Sequence, residues 1–170
     1  MSKQLEQAKL FHQLHSQNSP LIVYNIWDVG SAKALQDTGA NVIGTSSWAI
    51  AAAQGLEDGE NIPFEFILQT IRNISAQMDI PVSVDFESGY SQEIAKIQKN
   101  IENIILAGAV GINFEDQKIG SKELYTIKEQ CERIHALRLK AEQMNMPLFI
   151  NARTDIFLEP VFKFKIVLKI

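Results

Sequence analysis

Short apolar runs alternate along this chain with longer stretches in which apolar residues recur every third or fourth position. Leu10, Phe11 and Leu14 give a first helix its apolar stripe. Leu21-Ile22-Val23-Tyr24-Asn25-Ile26 reads as a buried strand, and Ser31 to Asp37 as a short helix stopped by Gly39. Asn41-Val42-Ile43-Gly44-Thr45 is a second strand, followed by an alanine-rich helix from Trp48 to Gln54. Pro63 opens another helix, with Phe66, Ile67, Ile71 and Ile74 at helical spacing. Pro81-Val82-Ser83-Val84-Asp85-Phe86 is the third strand, and Ile94, Ile97, Ile101, Ile104 and Ile105 mark a helix closed at Gly108. Ala109 to Phe114 is the fourth strand. Leu124, Ile127, Cys131, Ile134 and Leu137 form the stripe of a long helix, and Pro147 to Asn151 is the fifth strand. Apolar strands alternating with amphipathic helices imply a parallel sheet with right-handed crossovers.

An open doubly wound sheet and a (β/α)8 barrel both fit that order. The doubly wound fold usually places a glycine-rich phosphate turn after an early strand. Here the first strand runs into Ile26-Trp27-Asp28-Val29-Gly30, which is no such turn. The polar residues favour the barrel, because they gather at the carboxyl ends of the strands: Asn25 and Asp28, Thr45-Ser46-Ser47, Asp85 and Glu87, Asn113 and Glu115, Asn151 and Arg153. Active sites of parallel barrels form at that rim. The expected fold class is therefore α/β, a TIM barrel of (β/α)8 type, incomplete, with about five βα units.

Strand side chains alternate faces, so Asp85 and Glu87 share a face, as do Asn113 and Glu115, and Asn151 and Arg153. If those faces point inward, the mouth holds three carboxylates and one guanidinium. Converging carboxylates repel unless a cation sits among them. All-oxygen donors suit Mg²⁺, which keeps several waters and also takes substrate oxygens. An arginine opposite offers a planar fork for a carboxylate or phosphoryl group. The bland reading is that acids after strands cap the next helix, at about 1 kcal/mol each. For Asp28 capping and a site role both stay open, while polar pairs at every strand end are harder to explain by capping.

Composition narrows the function classes. Hydrophobic residues make up 46% and charged residues 21% of 170 residues, an ordinary globular balance. A net charge of −4 argues against a nucleic-acid partner. No apolar run reaches the roughly 18 residues of a membrane span. The polar start, Met1 to Gln17, lacks the core of a secretory signal. With the lone Cys131, read as a core cysteine, these features lead us to expect a cytoplasmic protein. His12 and His15 are read as solvent-exposed, and Trp48 as either lining the pocket or packing in the core.

Five segments resemble motifs of the isocitrate lyase/phosphoenolpyruvate mutase superfamily. They are Asn25-Ile26-Trp27-Asp28-Val29-Gly30-Ser31-Ala32; Gly44-Thr45-Ser46-Ser47 with Gly55-Leu56-Glu57-Asp58; Asp85-Phe86-Glu87-Ser88-Gly89-Tyr90; Gly111-Ile112-Asn113-Phe114-Glu115-Asp116-Gln117; and Asn151-Ala152-Arg153-Thr154-Asp155. The likeness runs from about Phe11 to Asp155. It implies Mg²⁺ held most directly by Asp85, with Asp58, Glu87 and Glu115 acting partly through water. It further implies a substrate carboxylate cradled by Thr45, Ser46 and Ser47, with Asn113 beside it, and Arg153 on the substrate's other anionic end. Asp58, Arg153 and Lys118 are the candidate catalytic residues. The family works on 2-oxo or 2-hydroxy acids through an enolate-like oxygen, so the implied partner is a small anionic carboxylate or phosphate.

Three departures shape the expectation. The family's metal motif is most often Asp-x-Asp, whereas the second acid here is Glu87. The lyase branch carries Lys-Lys-Cys-Gly-His on a loop after the fourth strand. Here that loop reads Gln117-Lys118-Ile119-Gly120-Ser121-Lys122, which leaves the mutase, hydrolase or decarboxylase-like branches, and the resemblance is taken as one to the phosphoenolpyruvate phosphonomutase-like branch. It is read either as a gate over an anion or as a solvated loop. Finally, a complete barrel takes about 250 residues. We expect a partial, C-terminally truncated barrel domain over 1–155 and a divergent tail over 156–170, with a sixth strand as the tail's alternative reading. Open strand edges would favour association, including a homo-oligomer. Two function classes stay open: a Mg²⁺-dependent lyase or phosphonomutase-like enzyme, or a catalytically inactive relic of one.

Overall fold

The computed structural model describes residues 2–16, 19–118, 120–121 and 123–157. Apart from Ile156 and Phe157, the expected tail and its reading as a sixth strand lie outside the described residues. The elements are α1 (Lys3–His15), β1 (Tyr24–Ile26), α2 (Val29–Asp37), β2 (Ile43–Thr45), α3 (Ser47–Ala53), α4 (Phe64–Gln77), β3 (Val82–Asp85), α5 (Ile94–Leu106), β4 (Gly111–Phe114), α6 (Ile127–Gln143) and β5 (Phe149–Ala152). All strand pairs are parallel, in the order β1-β2-β3-β4-β5. A doubly wound sheet reverses its order at a switch point, and this sheet does not. Helix α2 packs on α4, α4 on α5, and α5 on α6, as in the single outer layer of a barrel. The fold is of TIM-barrel type, with five parallel strands and, among the described residues, helices following the first four.

Ile26, Ile43, Val82, Val84, Ile112 and Phe114 are buried and alternate with the residues of the opposite face. Strand register aligns Asn25, Gly44, Ser83, Gly111 and Phe149 in one row of that second face. Asp85, Asn113 and Asn151 form the next row toward the strands' carboxyl ends.

Helix α1 closes the amino-terminal end of the sheet. The Gln4 side-chain amide donates to the carbonyls of Ile105 (2.7 Å) and Ala109 (2.9 Å), and His12 Nε2 lies 3.0 Å from the Pro147 carbonyl. Phe11 pushes its ring under Gly111, where an added Cβ would sit 2.4 Å from Phe11 Cε1. Only glycine leaves room for that ring. His12 and His15 are exposed, as read, and the His15 ring stacks on Phe149 at 3.8 Å.

The apolar stripe expected of the last helix fails at Ile127 and Cys131. Helix α6 buries Arg133, Ala136, Leu137 and Ala141, while Ile127 is 86% exposed and Cys131 is exposed rather than in the core. The cause is Arg133. Its guanidinium lies 4.1 Å from the Tyr125 ring centroid and 5.4 Å from that of Phe114. It also donates to the carbonyls of Ser88, Ser91 and Gln92. With those partners an arginine takes the inward position and turns Ile127 and Cys131 outward. Trp48 is 66% exposed and so is not a core residue.

Candidate active site

The site starts from the last residue of β3. Asp85 Oδ2 accepts from Ser47 Oγ (2.8 Å) and Ser47 N (3.2 Å), and the Asp85 N–H donates to Thr45 Oγ1 at 2.9 Å. Thr45 and Ser47 therefore orient Asp85. Ser46 serves the helix instead, since its hydroxyl accepts from Ala49 N at 3.2 Å and caps α3. Asp85 Oδ1 is buried with no hydrogen-bond partner. Burial pushes the Asp85 carboxyl above the usual carboxylate range, against the Ser47 hydrogen bonds and the Arg153 charge, while Asp58 adds to the rise.

Beyond Asp85 the strict alternation ends, because Glu87 sits at φ +48°. Interstrand hydrogen bonds nevertheless continue: Phe86 N to Asn113 O (3.0 Å), Glu115 N to Glu87 O (2.8 Å) and Arg153 N to Phe114 O (2.9 Å). Glu87, Glu115 and Arg153 thus belong to a rim above the Asp85–Asn113–Asn151 row. In that row Asn151 Nδ2 donates to Asn113 Oδ1 at 2.8 Å. The Glu87 carboxylate accepts from the Tyr90 hydroxyl and from Glu60 N, both at 2.9 Å. Burial, chiefly, raises Glu87 to about 7; Tyr90 opposes, and the Asp58, Glu60 and Asp85 charges add to the rise.

Arg153 Nη1 lies 2.6 Å from Glu115 Oε1, and its Nε donates to Asp155 Oδ1 at 2.9 Å. Two edges of the fork are thus occupied by carboxylates. Burial pushes Glu115 upward against the pull of Arg153. Burial also disfavours the arginine's charge, but Glu115, Asp155 and Asp85 outweigh it and lift Arg153 above its ordinary value. The 2.6 Å contact is that of an ion pair.

A cavity of about 580 Å³ borders this rim at Glu115 and brings Asp58, Glu60, Glu115 and Lys118 to one space, while Thr45, Asp85 and Asn113 line a separate one of about 320 Å³. Asp58 also borders a smaller recess with Ser47, Glu60, Glu87 and Tyr90. Beside Lys118, Gln117 and Leu124 form an antiparallel bridge, and Lys118 N donates to Glu123 O at 2.8 Å. The Lys118 ammonium lies 3.5 Å from Glu123 and 5.7 Å over the Tyr125 ring. Asp28 stands apart as the N-cap of α2 in a reciprocal capping box with Ser31, which its sequence position had left open.

Sequence reasoning assigned no role to Glu60, Tyr90, Arg133 or Asp155. Tyr90 and Asp155 lay inside the family-like motifs. Glu60 gave no signal, being one acid in a polar loop. Among the described residues no three His, Cys, Asp or Glu side chains are grouped to ligate one ion directly. The donor set still fits Mg²⁺ with one direct carboxylate, since that ion keeps several of its waters. The unpartnered Asp85 Oδ1 is such a donor, and Glu87, Glu115 and Asp58 are near enough to bear on each other's or on Asp85's ionisation.

Residues 11–167 match the family model described as phosphoenolpyruvate phosphomutase. The chain belongs to that family. A crystal structure of a Burkholderia cenocepacia protein provisionally named a phosphonomutase is 40% identical. It aligns over 91% of this chain and 63% of its own, at a TM-score of 0.87. The 2-methylisocitrate lyase of Escherichia coli is 27% identical over 154 residues, 87% of this chain and 52% of its own length. A phosphonopyruvate hydrolase solved with oxalate and Mg²⁺ shares the fold at a TM-score of 0.79 and 21% identity, over 93% of this chain and 54% of its own. This phosphomutase-family chain spans about half the length of the curated relatives it matches. No helix among its described residues is long and apolar enough to cross a membrane.

Proposed function

We propose that the chain carries the core of a Mg²⁺-dependent lyase or phosphonomutase-like site for a small 2-oxo or 2-hydroxy acid or a phosphoenolpyruvate-type substrate. The observation that carries this reading is Asp85: one oxygen is fixed by Ser47, and the other is buried and unpartnered. An unsatisfied buried carboxylate oxygen costs about 1–3 kcal/mol or more, a cost that a bound cation removes. The complex of the phosphonopyruvate hydrolase with oxalate and Mg²⁺ supports the same pairing of cation and small dicarboxylate.

In this reading Asp85 would hold the cation most directly, and Glu87, Glu115 and Asp58 would hold it partly through water. The cation supplies positive charge beside an oxygen on which negative charge develops, as an enolate would require. Thr45 and Ser47 act by orienting Asp85, and Ser46 fixes the start of α3 beside them. Asn113 and Arg153 bind the substrate's anionic groups. Lys118 adds positive charge at the cavity wall, and Asp58, the exposed acid of the same wall, is placed to exchange protons there. Calorimetric titration with oxalate tests the reading. Binding should require Mg²⁺ and be lost on adding EDTA or in Asp85→Ala. Binding indifferent to both, or no binding at all, refutes it.

A further inference from the structure

Glu60 stands two residues beyond Asp58, on the loop between α3 and α4, at φ +62°. Its Oε1 accepts two backbone hydrogen bonds from another loop: Ser88 N at 3.1 Å and Tyr90 N at 2.9 Å. In return, Glu60 N donates to Glu87 Oε2 at 2.9 Å. The Asp58 carbonyl accepts locally, from Asn61 Nδ2 at 2.8 Å. The reciprocal pattern resembles a capping box, but it joins two loops rather than one helix end. The loops are those that carry Asp58 and Glu87.

We infer that Glu60 is a positioning residue that clamps the Asp58 loop to the Glu87 loop and so fixes the spacing of the acids around Asp85. The ligand side of this inference rests on the proposed reading of the Asp85 site. A charge held in place by two N–H donors is a firm anchor, and a metal site needs its outer groups held as closely as its ligands. The second Glu60 oxygen, Oε2, is buried without a partner. That leaves direct ligation as the rival role, and the two roles separate experimentally. A glutamine retains a carbonyl oxygen that can accept both N–H groups, but it is a poor substitute for a ligating carboxylate.

The experiment compares wild type, Glu60→Ala, Glu60→Asp and Glu60→Gln by calorimetric Mg²⁺ titration in the presence of oxalate. Amide exchange at Ser88 and Tyr90 is measured in parallel on the metal-free proteins. The expected result is Mg²⁺ affinity at least tenfold weaker in the Ala and Asp variants, and within about threefold of wild type in Glu60→Gln. Exchange at the two amides should speed up at least tenfold in Ala and Asp only. Loss in Glu60→Gln equal to that in Glu60→Ala overturns positioning in favour of ligation. Wild-type affinity in Glu60→Ala, or in Glu60→Asp if the Ala variant does not fold, overturns both roles. If wild type itself binds neither Mg²⁺ nor oxalate, the proposed function fails. The exchange data then still decide the clamp, which unchanged rates in all variants would overturn.

Discussion

Replacing Glu87 by glutamine should stabilise the metal-free protein at neutral and alkaline pH while weakening its response to Mg²⁺. Glu87 is 7% exposed, and burial raises its carboxyl from 4.5 to about 7. The folded state therefore holds the proton more tightly than the unfolded chain does. The stability this contributes is fully present below pH 4.5 and is lost as pH climbs through about 7. At about 1.36 kcal/mol per pKa unit, the loss amounts to about 3 kcal/mol at about pH 8. Glutamine does not ionise, so Glu87→Gln escapes the loss. For a domain of this size the difference corresponds to roughly 6–12 °C in midpoint. The assay is thermal unfolding in EDTA from about pH 4 to about pH 8.5. The variant should match wild type near the acid end and exceed it increasingly above about pH 5. With Mg²⁺ and oxalate the order should reverse, because the cation meets the Glu87 charge in wild type only. Parallel stability curves across the pH range would refute the reasoning.

Other substitutions test separate links. Gly111→Ala brings a methyl group within 2.4 Å of the Phe11 ring and should destabilise by about 1–3 kcal/mol in urea unfolding. Asp28→Ala removes the cap of α2 and should cost about 1 kcal/mol with no change in Mg²⁺–oxalate affinity by calorimetry. Arg153→Lys keeps the charge but cannot span Glu115 and Asp155 with one planar fork. It should lower stability by about 2 kcal/mol and weaken oxalate binding at least tenfold.

The strands and most helices were legible because each buries one face, and burial imposes its period on the sequence. The rim was legible as a set of polar strand ends. Its detail was not, for physical reasons tied to particular residues. Alternation carries Asp85 onto the inner row, but it cannot describe Glu87, whose left-handed backbone depends on Glu60 and Tyr90 to hold its carboxylate. Apolar periodicity placed Cys131 and Ile127 inward because it makes no allowance for an arginine whose charge is spread over carbonyls and aromatic rings, as at Arg133. The motif around Arg153 was visible, but its engagement by Glu115 and Asp155 was not. Likewise the hydroxyls of Thr45 and Ser47, read as a cradle for substrate, are bonded to Asp85.

The proposed function stands or falls with Asp85 as the anchor of a site for a divalent cation together with a small dicarboxylate. The most direct measurement is the unfolding midpoint of the purified chain with Mg²⁺, with oxalate, with both, and with neither, since a ligand bound only by the native state raises the midpoint. A cooperative transition should rise by several degrees only when both are present, with no rise in Asp85→Ala. A midpoint indifferent to the pair, or a rise that survives the loss of Asp85, would contradict that role.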